Sequence, residues 1–301
     1  MLDAVQVRRA VGWRDAVAAL RAALAGGLDP EAEPARLSLA FGAGEVLAMP
    51  SGTDRVVGVK LVSIVPGNPA RGLPRIHGVY VLFDAATLAP AVVLDGTALT
   101  ALRTPAVSAL GLDLVAPAPA RRLVVFGTGP QAYGHVHALR AVRPIDTVDV
   151  VGRDATRTDA FAARLRAEGI AATAAGPDTV AEADVVACCT TARTPLFDGR
   201  LLPDHAVVVA VGSHEPDARE VDSETVRRCG ALVESRATAL TEAGDVVRAV
   251  ADGAVRADDL VTLADLVRGT TVARPRLVKT VGMGWEDLVV AAAVVEAVER
   301  S

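Results

Sequence analysis

The chain has 301 residues, 51% hydrophobic and 22% charged, which is the composition of a folded protein of about two domains and excludes a disordered one. Aromatic residues make up only 3% and the formal net charge is −5, so a nucleic-acid-binding surface is not expected. The opening MLDAVQVRRAVGWRDAV has no long apolar block behind its charges, and the late LVVAAAVVEAV is too short and too close to acids to cross a bilayer. The reading is of a chain with no membrane partner. Cys188, Cys189 and Cys229 lack metal-ligand spacing and read as reduced core thiols, so a cytoplasmic location and no metal are expected.

In chain order, Arg14 to Ala25 carries apolar residues at helical spacing and stops at Gly26-Gly27. Strand-like runs follow at Arg36 to Ala40, Val46 to Met49, Val56 to Val65 and Gly78 to Phe83, with another at Pro90 to Asp95. Consecutive strands without intervening helices imply an antiparallel or mixed sheet. Thr97 to Gly111 reads as a helix, and the Pro-rich LVAPAPARR around residues 114–122 as a linker. Beyond it the pattern becomes strand (RLVVF), helix (Pro130 to Val142), strand (DTVDVV) and helix (Ala155 to Glu168). Short strands recur at Ile170 to Thr173, Asp184 to Thr190, Ala206 to Val211 and Ala231 to Glu234. This alternation implies an α/β region with a doubly wound parallel sheet. LVKTVG is a last strand-like run before a helix from about Trp285 to Glu299.

RLVVF runs into GTGPQA, Gly127 to Ala132, and then a helix. In that setting G-x-G-x-x-A is a dinucleotide fingerprint: Gly127 makes the tight turn, Gly129 lets a pyrophosphate approach the backbone, and Ala132 permits close helix–strand packing. Thr128, Pro130 and Gln131 belong to the same loop. About 20 residues on, where an acid usually meets the ribose 2′-hydroxyl, this chain has Gly152-Arg153. A guanidinium suits a 2′-phosphate, so NADPH is favoured and NADH remains possible; Arg153 as a solvated surface charge is the plainer alternative. Asp154 follows as the nearest acid.

The chain has two lysines, Lys60 and Lys279, against 29 arginines. Lys60 interrupts VVGVKLVSIV, where alternation makes both faces apolar. Burial there lowers an ammonium's pKa toward values useful in proton transfer. The alternatives are a snorkelling edge lysine or a lysine paired with a buried acid. Arg36 and Arg103 lie in neighbouring predicted elements, and two guanidinium groups beside a lysine suit a carboxylate. His77 is a further candidate for this region. Lys279 reads equally as a surface residue.

Taken in order, VKLVSIVPGNP, TALRTPAVSALG, VVFGTGPQA, AVGSHEPDAREVD and KTVGMGWEDL resemble the ornithine cyclodeaminase/mu-crystallin family over about Arg36 to Leu288. The resemblance implies a Rossmann-type domain over 115–282 and an α+β substrate and dimerisation domain over 1–114, completed by the C-terminal helix 283–301. It implies a homodimer, and it assigns the substrate carboxylate to Arg36, Lys60 and Arg103 with proton transfer at Lys60. Where cyclodeaminases of the family carry an Asp, AVGSHEPDARE has His214, which counts against ornithine cyclisation. The GSHEPDARE form looks like bacterial reductases of 1-pyrroline-2-carboxylate and 1-piperideine-2-carboxylate. His77 and His214 are candidate helpers in proton transfer, and His214 is as readily a loop residue. Thr104, Thr190, Thr191, Val211 and Gly212 complete the expected cofactor contacts, with strand-end roles open to the two threonines. The expectation is an NAD(P)H-dependent reductase of a small cyclic imino acid. An ornithine cyclodeaminase or alanine-type dehydrogenase, and a non-catalytic mu-crystallin-like binder, remain the alternatives.

Overall fold

The structure, a computed structural model, describes residues 1–116, 119–270 and 275–300. It divides into two compact units, Met1–Thr104 with Gly282–Ser301, and Pro105–Val281. The border falls inside a helix, at Pro105, and not at the Pro-rich stretch. Residues up to Val115 of that stretch are still helical, while 117 and 118 lie outside the described residues. Pro105 has no amide hydrogen to donate up the helix, so the ladder is interrupted where the units meet in sequence.

The first unit opens with α1 (Ala4–Ala10) and α2 (Trp13–Ala25). The sequence reading passed over α1, whose single turn pair rests on a capping box between Asp3 and Gln6. α2 buries Ala16, Val17, Leu20 and Leu24 on one stripe and ends at Gly26-Gly27, the second with φ +104°. Five antiparallel strands follow, paired in chain order: β1 (Leu37–Phe41), β2 (Gly44–Gly52), β3 (Val56–Ile64), β4 (Ile76–Asp84) and β5 (Pro90–Asp95). Their two faces differ. Leu47, Met49, Lys60, Val62, Tyr80 and Leu82 are buried on one, the side packed against the C-terminal helix α10 (Gly284–Glu299), whose Trp285, Leu288 and Ala291 are buried as well. Leu37, Leu39, Phe41, Leu61 and Val79 are exposed on the other, by 38 to 64%.

Helix α3 (Gly96–Val115) joins the units in sequence. It is long and apolar enough to cross a membrane, but 78% of its most apolar window is buried inside the protein, as a core helix requires.

The second unit contains β6 (Arg122–Phe126), α4 (Pro130–Val142), β7 (Thr147–Val151), α5 (Ala155–Ala167), β8 (Ala171–Ala174), β9 (Val185–Cys188) and β10 (Val207–Ala210). It continues with α6 (Ser223–Cys229), β11 (Ala231–Val233), α7 (Arg236–Glu242), α8 (Gly244–Ala251), β12 (Val261–Thr262), α9 (Leu263–Val267) and β13 (Leu277–Lys279). Among the described residues the sheet has eight parallel strands in the order β12-β11-β13-β10-β9-β6-β7-β8. Its central strands are buried on both faces, which is why they read as continuous Val/Ala runs without alternation. From β6 the chain winds one way to β7 and β8 and the other way to β9 and β10. The topological switch point, where ligands bind in such sheets, therefore lies between β6 and β9.

Candidate functional site

β3 is flanked by β2 and β4, so Lys60 is no edge residue. It pairs with Met49 on one side and Tyr80 on the other, and is 1% exposed. Its ammonium donates to Asp287 Oδ2 at 2.6 Å, in the first turn of α10. Burial and the neighbouring Arg103 guanidinium lower its pKa to about 8, and the Asp287 and Glu286 carboxylates only partly oppose them. The lysine is thus buried, paired with an acid and able to lose its proton near neutrality.

Arg103, 6% exposed on α3, donates from Nε to Asp287 Oδ1 at 3.0 Å and from NH1 to Glu286 Oε2 at 2.7 Å. Asp287 therefore bridges the lysine and the arginine with its two oxygens. Gly282 sits against this group: with φ +82°, a Cβ there would lie 2.5 Å from Arg103 NH1. Its carbonyl accepts from Arg36 NH2 at 3.1 Å. The structure brings Arg36, Lys60 and Arg103 together around Gly282 and the start of α10. Gly284 brings the helix start onto β2, since a Cβ there would meet the Pro50 carbonyl oxygen at 2.4 Å. Nearby, the Tyr80 hydroxyl and Trp285 Nε1 are buried without a hydrogen-bond partner among the described residues.

His77 is not brought to this cluster. It pairs with Ser63, one step out of phase with Lys60, and is exposed on the opposite face of the sheet. Proton transfer by His77 from its own sheet to the Lys60 side is corrected on that ground. Thr104 follows Arg103 on α3 and is half-buried.

In the second unit the glycine loop leaves β6 with Gly127 at φ +114°, and a Cβ there would lie 2.5 Å from the Cys189 carbonyl oxygen. Gly129 caps α4 without a side chain, and a Cβ on it would meet nothing within 4 Å. That open approach to a helix N-terminus is what a pyrophosphate needs. Pro130 is the first helical residue, and Ala132 is fully buried. Gln131 Oε1 is buried with no hydrogen-bond partner among the described residues, so the loop also presents an unsatisfied acceptor. Gly152, after β7, packs against Thr128 and Thr158. Arg153 is exposed and makes no hydrogen bond or ion pair among the described residues. Asp154 is already engaged, capping α5 through the Arg157 amide at 2.9 Å.

Thr190 follows β9 by two residues, and Val211 and Gly212 follow β10. The Thr190 amide and hydroxyl both donate to the buried Glu220 carboxylate at 2.7 Å. Gly212 donates its amide to the same carboxylate at 2.6 Å. Thr191 is exposed, and His214 is half-buried after Ser213. Asp217 is exposed and paired with Arg193. Lys279 is no surface residue: it is 1% exposed, with its ammonium 3.0 Å from Asp245 Oδ2.

The model of the ornithine cyclodeaminase/mu-crystallin family matches residues 1–301. The chain belongs to this family. A Delta(1)-pyrroline-2-carboxylate/Delta(1)-piperideine-2-carboxylate reductase of Azospirillum brasilense is 39% identical over 263 residues, 85% of this chain and 81% of that one. Thermococcus litoralis Delta(1)-pyrroline-2-carboxylate reductase, solved with NADH and L-proline, matches with a TM-score of 0.92 at 27% identity, covering 99% of this chain and 97% of that one. An archaeal alanine dehydrogenase dimer with bound NAD matches with a TM-score of 0.91 at 25% identity, covering 99% and 95%. In this member of the ornithine cyclodeaminase/mu-crystallin family, sequence reasoning missed Glu286 and Asp287. The available signal was WEDLVVAAAVV: two acids opening a wholly apolar helix must be buried, and buried acids need cations.

Proposed function

We propose that the chain reduces a cyclic ketimine carboxylate, 1-pyrroline-2-carboxylate or 1-piperideine-2-carboxylate, to L-proline or L-pipecolate with NAD(P)H. The observation that carries this reading is the cation cluster around Gly282 and the start of α10, in which the buried Lys60 ammonium, of pKa about 8, stands beside the Arg103 guanidinium and the half-buried Arg36 bonds the Gly282 carbonyl. When bound at the glycine loop, the reduced nicotinamide supplies the hydride. Arg36 and Arg103 hold the substrate carboxylate by charge-assisted hydrogen bonds. As the imine carbon takes the hydride, the C=N π electrons move to nitrogen, and Lys60 Nζ supplies the proton that nitrogen needs. Asp287 keeps Lys60 and Arg103 in fixed relation during that step. Sealing the ammonium from solvent strengthens its interaction with the substrate.

Within this reading NADPH is the favoured cofactor. Arg153 offers an uncommitted guanidinium after β7, and the adjacent Asp154 carboxylate is engaged as a helix cap. The similar structures carrying NADH and NAD keep NADH as the second choice. We keep His214 as a helper in proton transfer. A homodimer joined through the exposed apolar sheet face would cover Leu37, Leu39, Phe41, Leu61 and Val79, and the similar alanine dehydrogenase is a dimer. The free thiols suit a cytoplasmic enzyme.

The test is cofactor oxidation, followed by absorbance, with both imines and both cofactors. Turnover with either ring supports the reading. No turnover with either, but ammonia release from L-ornithine or L-alanine with NAD, replaces it by a deaminating one. Cofactor binding without any turnover leaves a ligand-binding protein.

A further inference from the structure

Lys279 plays no part in the chemistry above, yet it is as buried as Lys60. Besides the ion pair with Asp245, its ammonium donates to the Ser213 carbonyl at 2.6 Å. Asp245 Oδ1 accepts the amides of Glu220 and Val221 at 2.7 and 2.9 Å. Glu220 in turn accepts from Thr190 through one oxygen and from Gly212 through the other. Burial pushes the Glu220 carboxyl's pKa up, but both of its oxygens receive donors, so the bonding geometry is that of a carboxylate.

Three charges with 0 to 1% exposure are a costly way to fill a core, since apolar side chains of similar size often serve stability as well or better. What apolar groups cannot do is satisfy backbone. Here the amides of Thr190, Gly212, Glu220 and Val221 and the carbonyl of Ser213 all end on charged side chains. The packing leaves no slack: a Cβ on Gly212 would lie 2.0 Å from the Thr190 carbonyl oxygen. Thr190 follows Cys189, whose carbonyl oxygen touches the Gly127 turn at the β6–β9 switch point. The group that reads the ribose 2′ position follows β7, so the adenosine half of a dinucleotide belongs on that side of the switch point. The nicotinamide half belongs on the β9 and β10 side.

We propose that Glu220 is a positioning residue for the nicotinamide half of the cofactor. With Asp245 and Lys279 it holds Thr190 and the Val211–Ser213 segment at the carboxyl ends of β9 and β10. This rests on the dinucleotide reading above, and it is tested by binding alone. Calorimetry compares NADPH and NADH with their adenylate halves, ADP-ribose 2′-phosphate and ADP-ribose, in the wild type and in Glu220→Gln. The glutamine presents an N–H group to an amide that needs an acceptor. The advantage of the whole cofactor over its adenylate half should therefore fall about tenfold, while the half itself binds within about twofold. Equal weakening of both, as a general loosening of the unit would give, overturns the proposal, and so does an unchanged advantage. If Glu220→Gln does not fold, Lys279→Met/Asp245→Asn removes both members of the ion pair and leaves Glu220 without its counter-charge. The same selective loss is expected there, and its absence again overturns the proposal. A folded wild type that binds neither the cofactors nor their halves refutes the dinucleotide reading itself, and this inference with it.

Discussion

The two lysines of this chain share burial and partner type, and still stand in different chemistry. Each is 1% exposed and each meets a buried aspartate, Asp287 at 2.6 Å and Asp245 at 3.0 Å. Burial, with the Arg103 guanidinium beside it, lowers the pKa of Lys60 to about 8 against the opposing Asp287 and Glu286 carboxylates. Lys279 faces Asp245 together with Glu220 and spends a hydrogen bond on a backbone carbonyl. A guanidinium beside a buried ammonium favours loss of its proton, while Lys279 is tied to a carboxylate and to the backbone. At equal depth the two lysines differ in what surrounds them, the Arg103 guanidinium beside one and the Ser213 carbonyl on the other.

The sharpest way to break this comparison is to remove the reactive member. Lys60→Met should lower imine reduction by about a thousandfold or more while leaving cofactor affinity within about twofold. A variant retaining most of its turnover would take Lys60 out of the mechanism. The comparison is sharpened by Asp287→Asn, which keeps the shape and removes the charge that holds Lys60's pKa up. A proton donor must be protonated to act, so the wild-type rate should fall as pH rises through about 8. In Asp287→Asn that fall should begin at lower pH, whereas Asp245→Asn should leave its position unchanged. A pH–rate profile of each variant decides this.

Arg153 extends the contrast to a cation left in solvent. Arg153→Ser should weaken NADPH binding about tenfold and leave NADH unchanged, measured by fluorescence titration. Equal effects on both cofactors would make it a solvated surface charge. His77→Ala should change turnover by less than about twofold, because His77 lies on the sheet face opposite Lys60.

Much of this architecture was legible from local pattern. The five antiparallel strands showed in their apolar runs and the turn residues between them, and the glycine loop in its place between a strand and a helix. Arg36, Lys60 and Arg103 stood out as cations in apolar elements, and the structure brings them together. Which acid pairs with which lysine was not legible. Asp287 is 227 positions from Lys60 in sequence, and both Asp287 and Asp245 sit in helix first turns, where an acid is ordinarily explained by the helix dipole. Both faces of β3 read as apolar, and no periodicity distinguishes the one covered by α10 from the one left exposed. α1 and β12 were too short to leave a pattern at all.

The most direct test of the central claim uses the scarcity of lysine. Labelling the lysine side-chain carbon next to nitrogen gives an NMR spectrum with two signals, and Lys60→Met assigns them. The Lys60 signal should titrate with an inflection near pH 8. An inflection at about pH 10.4, that of an unperturbed lysine, would contradict the account.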